Sequence, residues 1–161
     1  MDNTSYVSPL KQSLLPVVHL SQVIFKKGKV MFERVREIAE EQAFARHLGV
    51  ELVSNDVDRA VLRLPYSAFL GSDRVNGGAI SSLVDLAATC AFWSHPDVTA
   101  QSRGATIGFT INFLRLSVAI DLTASAHVRR RGGSICVGDV SVTAPDGIEV
   151  AIANVTYKLN P

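Results

Sequence analysis

One segment constrains this chain more than any other: residues 76–93, which read NGGAISSLVDLAATCAFW. It opens on Asn-Gly-Gly, is apolar nearly all round, and has Pro96 just beyond its end, so it reads as a helix that must be buried on most sides. Asp85 does not fit this setting. It lies between Leu83, Val84 and Leu86, Ala87, Ala88, and the residues one turn away are Ser81, Ser82, Ala88 and Thr89. No cation on the helix can offset its charge. Burying a lone carboxylate costs on the order of several kcal/mol and disfavours its ionised form, which makes such a group a functional candidate. The alternatives are that Asp85 faces solvent or meets an Arg from a distant strand. The helix entry supplies complementary chemistry. Gly77 and Gly78 put backbone without side chains at a helix N-terminus, where unpaired N–H groups and the positive end of the dipole can polarise a carbonyl and stabilise an oxyanion.

Around this helix the pattern is mostly strand. Residues 30–48 carry apolar positions at helical spacing (Val30, Met31, Val35, Ile38, Ala39, Phe44) among charged ones, and Gly49 offers a C-terminal cap, which predicts one amphipathic helix. Strands are predicted at 50–54, 59–64, 105–116, 122–130, 134–144 and 148–159, with turns at Arg131-Gly132-Gly133 and Pro145-Asp146-Gly147. In the third strand Ile107, Phe109, Ile111 and Phe113 alternate with Thr106, Gly108, Thr110 and Asn112, which puts Thr106 on the face opposite the apolar side chains. The expected fold class is α+β, an antiparallel sheet wrapped around a central buried helix. Residues 1–28 lack periodicity and are read as an N-terminal arm of unknown role, leaving 29–161 as one domain, a size that supports a single core.

Sixteen Lys and Arg against fifteen Asp and Glu give a net charge of +1, so no global field points to nucleic acid or an anionic membrane. The apolar stretch at 14–25 is interrupted by Pro16, His19, Ser21 and Gln22 and is too short to span a bilayer. It also lacks the layout of a secretory signal, and cytoplasmic residence is the expectation. Cys90 and Cys136 have no redox or zinc spacing and are read as buried thiols; the histidines at 19, 47, 95 and 127 show no paired spacing for a metal. Serine-hydrolase elbows, dinucleotide fingerprints and phosphate loops are absent from the sequence. The run Arg129, Arg130, Arg131 before a glycine turn, together with Arg115, is a candidate phosphate-binding group or else a solvated hairpin end. Phe69, Leu70 and Trp93 are candidates to line an apolar pocket or else core.

The segments NGGAISSLVDLAATCAF and TIGFTINFLRLS, with a GxxVxxxxxTY tail at Gly147 to Tyr157, resemble the PaaI-like hotdog-fold acyl-CoA thioesterases over about residues 47–159. That family pairs a His-Gly-Gly helix entry with an acid in mid-helix. The resemblance implies hydrolysis of an acyl-CoA without metal or other cofactor, with Asp85 as nucleophile or general base. It assigns the oxyanion donor to the Gly77 N–H, with Gly78 beside it, and a hydroxyl near the attacking water to Thr106. Asn76 replaces the usual His and can still donate a hydrogen bond, but it does not titrate near neutral pH. Gly108 and Leu116 stand where Asp and Pro are usual. The CoA site is expected at Arg115, Arg129, Arg130 and Arg131 and the acyl pocket at Phe69 and Leu70. The assembly implied is a homodimer with shared active sites, or a tetramer built from two of them. Two rival functions share the fold: a non-catalytic acyl-CoA binding module, and a dehydratase or hydratase, which would normally combine a His with an acid.

Overall fold

The structure, a computed structural model, describes residues 28–160. The arm assigned to residues 1–28 therefore lies outside the described residues except for Gly28, which opens the first helix.

The amphipathic segment forms two helices, not one. Helix α1 (residues 28–36) runs into a single π turn at Glu37–Glu41, where Gln42 N–H reaches Glu37 O at 3.2 Å, five residues back. Gln42 then turns extended (ψ 140°) and α2 (Ala43–Leu48) starts afresh. A long-range contact accompanies the break: the Glu40 carboxylate accepts from Leu52 N–H at 2.8 Å and from Arg36 Nε at 3.1 Å. Gly49 closes α2 in the left-handed region (φ 74°), its N–H bonded to Ala45 O.

Strands β1 (Glu51–Asp56), β2 (Arg59–Leu64), β3 (Arg103–Phe113), β4 (Leu122–Arg131), β5 (Ile135–Thr143) and β6 (Glu149–Asn160) form one antiparallel sheet in the order β1-β2-β4-β5-β6-β3. Helix α3 (Gly77–Trp93) packs across one face of it. Period-two alternation supplies the inner rows: Ala60, Leu62 and Leu64 of β2, Leu122, Ala124, Ala126 and Val128 of β4, Val140 and Val142 of β5, and Ala151, Ala153, Val155, Tyr157 and Leu159 of β6. Against these pack Ile80, Leu83, Val84, Ala87, Ala88, Ala91 and Phe92. Each fully buried Leu or Val contributes on the order of 1.5–3 kcal/mol. Small residues set the helix-to-sheet distance: a Cβ on Gly138 would lie 3.2 Å from Phe92 Cζ.

Helix α3 is not buried on every side. Gly78 is exposed, and Ser82, Asp85, Leu86, Thr89 and Trp93 are half-buried, forming a stripe along its outer face. At the sheet edge next to this stripe, β3 has one free side, and Ile107, Phe109 and Phe113 on it are exposed. Both cysteines are buried free thiols, and burial pushes the Cys90 thiol far above its ordinary range. No helix among the described residues is long and apolar enough to cross a membrane.

The C-terminus of α3 is closed by a side chain from the sheet. Arg131 Nη2 donates to Phe92 O at 2.8 Å and to Ala91 O at 3.3 Å, while its Nε donates to Asp58 Oδ1 at 2.6 Å. Asp58 itself holds a left-handed conformation (φ 64°) in the β1–β2 turn, where its short polar side chain is among the few that tolerate it. Replacing Arg131 with Ala is expected to cost about 2 kcal/mol, the scale of hydrogen bonds to a charged group. A fall in the melting midpoint of only the size seen with a surface Arg→Ala control would refute this role.

Candidate active site

At the entry of α3, Asn76 is the N-cap (φ −64°, ψ 139°) and its Oδ1 accepts from Gly78 N–H at 2.7 Å. The cap thus uses the N–H of Gly78 and the carbonyl oxygen of Asn76's side chain. The N–H of Gly77, in the first helical position, has no acceptor among the described residues, as helix geometry requires of a first-turn donor. Ser81 and Ser82 turn their hydroxyls back onto Gly77 O (2.8 Å) and Gly78 O (2.9 Å), so they do not compete for that N–H. Phe113, from the end of β3, lies directly over Gly77: a Cβ there would be 3.2 Å from the ring's Cζ. The space beside it is a cavity of about 330 Å3 lined by Gly71, Val75, Gly77, Ile80, Phe113 and Arg115 among others.

Two turns along the helix, Asp85 Oδ1 accepts a 2.6 Å hydrogen bond from the hydroxyl of Thr106 on β3. Asp85 is half-buried, not enclosed, and it makes no ion pair among the described residues. The distant Arg that could have neutralised it is not there; a neutral hydroxyl is. A single hydrogen bond on Oδ1 fixes the carboxylate's orientation and leaves Oδ2 to attack or to take a proton, while the lone pairs of Thr106 remain able to accept from a water.

Thr106 reaches Asp85 because β3 is irregular. Its register with β6 shifts between Thr106 and Gly108: Thr106 pairs with Tyr157, and Gly108 pairs with Thr156. Ile107 is the extra residue of a β-bulge and is 58% exposed. Directly opposed residues share a face, so Thr106, opposite inward-facing Tyr157, points the same way as Phe109, opposite Val155, and Ile111, opposite Ala153. The period-two reading had put Thr106 on the other face. One inserted residue reverses that parity, and bulges commonly re-aim a side chain next to a site.

The arginines divide. Arg131 is committed to the end of α3 and to Asp58, which corrects its reading as a phosphate ligand. Arg129 is paired with Asp139 on the exposed outer face; Arg130 is exposed and forms no ion pair among the described residues. Arg115 Nη1 meets Asp146 at 2.8 Å, and this guanidinium, helped by the N–H of Ile148, holds the Asp146 carboxyl below the usual range. Arg115 borders the cavity at Gly77, whereas the 129–131 run lies at the opposite end of α3 within the protomer. Leu70 is core, 3% exposed, so it lines no open pocket; Phe69 projects to the surface and packs edge-on against His47 at 4.5 Å. Sequence reasoning missed Phe113 as the cover of Gly77, and only its place at the end of an alternating strand hinted at it.

Residues 73–151 match the model of the thioesterase superfamily. The chain is 31% identical over 124 residues to the acyl-coenzyme A thioesterase PaaI of Escherichia coli, covering 75% of this chain and 85% of that protein. The solved structure of the E. coli PaaI protein from the phenylacetic acid degradation operon superposes with a TM-score of 0.72 at 26% identity, over 81% of this chain and 94% of that one. A thioesterase family protein from Silicibacter pomeroyi shares the fold at a TM-score of 0.73 and 23% identity, covering 81% and 98%. The chain therefore belongs to the thioesterase superfamily, in its PaaI-like group of hotdog-fold thioesterases.

Proposed function

We propose that this protein hydrolyses an acyl-CoA thioester to the free acid and CoA, with Asp85 as the reacting carboxylate. The observation that carries the reading is Asp85, without a cation partner among the described residues and held by Thr106 of β3, on the helix whose first N–H, that of Gly77, has no acceptor among those residues. With Asp85 as general base, water forms a bond to the thioester carbon and gives its proton to Asp85; the carbonyl oxygen becomes an oxyanion facing the Gly77 N–H of a second copy of the chain. The C–S bond then breaks and the proton passes to the departing sulfur. With Asp85 as nucleophile, Oδ2 forms an acyl anhydride, expels the thiolate, and is released by water. Asn76 serves either route by capping the helix through Gly78 N–H and leaving the Gly77 N–H for the substrate.

A homodimer, in the cytoplasm, completes the proposal. The free edge of β3, its exposed Ile107, Phe109 and Phe113, and the half-open stripe on α3 support a second copy packing there. Phe69, exposed on the surface, is proposed to join the acyl pocket in that assembly. Release of free thiol from a panel of short, long and aromatic acyl-CoAs tests the function, and no release from any member would overturn it.

The nucleotide end of CoA is assigned to Arg129, Arg130 and Arg115, without Arg131. Changing Arg129 and Arg130 together to Ala is expected to raise KM severalfold for an acyl-CoA while leaving KM for a thioester lacking the nucleotide unchanged, since only the former offers phosphates to pair. Equal effects on both substrates would remove these residues from the site.

A further inference from the structure

We propose that Tyr157, held by Trp93, is a positioning residue that fixes the Asp85–Thr106 pair. The inference rests on the reading of Asp85 and Thr106 as the reacting unit. The phenol lies on β6 directly opposite Thr106, which puts their Cβ atoms on one face at roughly 4.5–5.5 Å. Three residues of α3 and β3 fix its place. Trp93 Nε1 donates to its Oη at 2.8 Å; Phe92 stacks on its ring at a centroid distance of 5.0 Å and 25°; and Gly104, on β3 two residues before Thr106, leaves the space the ring occupies, since a Cβ there would lie 2.6 Å from Tyr157 Cε1.

The Asp85–Thr106 hydrogen bond joins helix α3 to strand β3, and it survives only if the helix keeps its position along the sheet. Asp85, Thr89 and Trp93 follow one another at four-residue spacing, on one face of α3. The Trp93–Tyr157 bond is thus a second tie on the same face, about 12 Å along the axis from the first. It joins the helix to β6 at the residue paired with Thr106. A core filler would not need the hydroxyl, because Phe packs the same ring. Tyr157 is 3% exposed, its hydroxyl accepts from Trp93, and burial, reinforced by the charge of Asp85, pushes the phenol up, so it stays protonated and neutral near the carboxylate.

Tyr157→Phe keeps the stacking on Phe92 and the packing on Gly104 and removes only the hydroxyl. Its kcat is expected to fall about tenfold with KM unchanged, the loss of one well-oriented interaction. Trp93→Phe should give a similar loss, and the double variant should be no worse than either single one, because both remove the same tie. Parent-like kcat in Tyr157→Phe, or losses that multiply in the double variant, would overturn the assignment. The methyl order parameter of Thr106, measured by NMR, separates this inference from the proposed reaction. It should fall in Tyr157→Phe whether or not the parent turns over acyl-CoA, and an unchanged value would equally refute the clamp.

Discussion

Asp85→Asn is expected to leave the protein folded and to lower thioester hydrolysis by at least about a hundredfold, the usual scale for removing a positioned acid or base. The amide has the shape of the carboxylate, and its oxygen can still accept from Thr106 in place of Oδ1. No cation is orphaned by the change, since none pairs with Asp85 among the described residues. The side chain is half-buried in the protomer, so stability should move little. What is lost is the ability to attack a carbonyl or to accept a proton from water, and both routes of hydrolysis need one of these. Free-thiol release at saturating acyl-CoA, beside a thermal melt of the same preparation, gives the answer. A variant that melts like the parent and turns over at a similar rate would remove Asp85 from the chemistry. A rate loss confined to KM would make Asp85 a binding residue instead.

The parts of the fold that local pattern controls were legible in the sequence. Residues 59–64 read as a strand because Ala60, Leu62 and Leu64 alternate before Pro65, and all three are 1% exposed or less. Helix α3 was legible at both ends because Asn76 and Pro96 act locally. Where long-range contacts decide, pattern failed. The single helix expected over 30–48 breaks at Gln42, beside a Glu40 that reaches across to Leu52 of β1, a partner no periodicity can announce. Thr106, a candidate by resemblance, was assigned to the wrong face, since a bulge costs the sequence nothing visible: Ile107 continues the apolar alternation while standing outside the register. Arg131 was grouped with its neighbours as a basic run, but a register shift between Val128 and Arg130 reverses the alternation of β4 and turns Arg131 to the inner face, opposite buried Cys136, where it reaches the end of α3. Tyr157 gave no signal as a site residue because an aromatic residue on an inner row is ordinary core.

Mixing Asp85→Ala with Gly77→Pro is expected to restore about a quarter of parent activity from two inactive proteins, by the symmetry of a two-site dimer. The reasoning starts from the helix. Gly77 and Asp85 are eight residues apart on α3, so at 1.5 Å per residue their backbones are separated by roughly 12 Å along its axis. A donor must lie about 3 Å from the oxyanion and the attacking atom about 3–3.5 Å from the carbon of the same carbonyl, a far smaller span. If two α3 helices pack antiparallel about a two-fold axis, Asp85 of one subunit faces Gly77 of the other. A mixed dimer then holds one site with both groups intact and one with neither. Random reassociation makes about half of all dimers mixed, each with one working site of two, which gives the quarter. Proline suits position 77 for two local reasons. As the first helical residue it loses an N–H that had no intrahelical acceptor, and Asn76 before it is already extended at ψ 139°, as a residue preceding proline must be. The added ring meets Phe113, whose Cζ lies 3.2 Å from where a Cβ at position 77 would stand, so a thermal melt of Gly77→Pro accompanies the assay. With each single variant shown to be folded and the mixed dimers isolated through two different tags, absence of recovery would mean that both groups act within one subunit, or that one of them takes no part in the reaction.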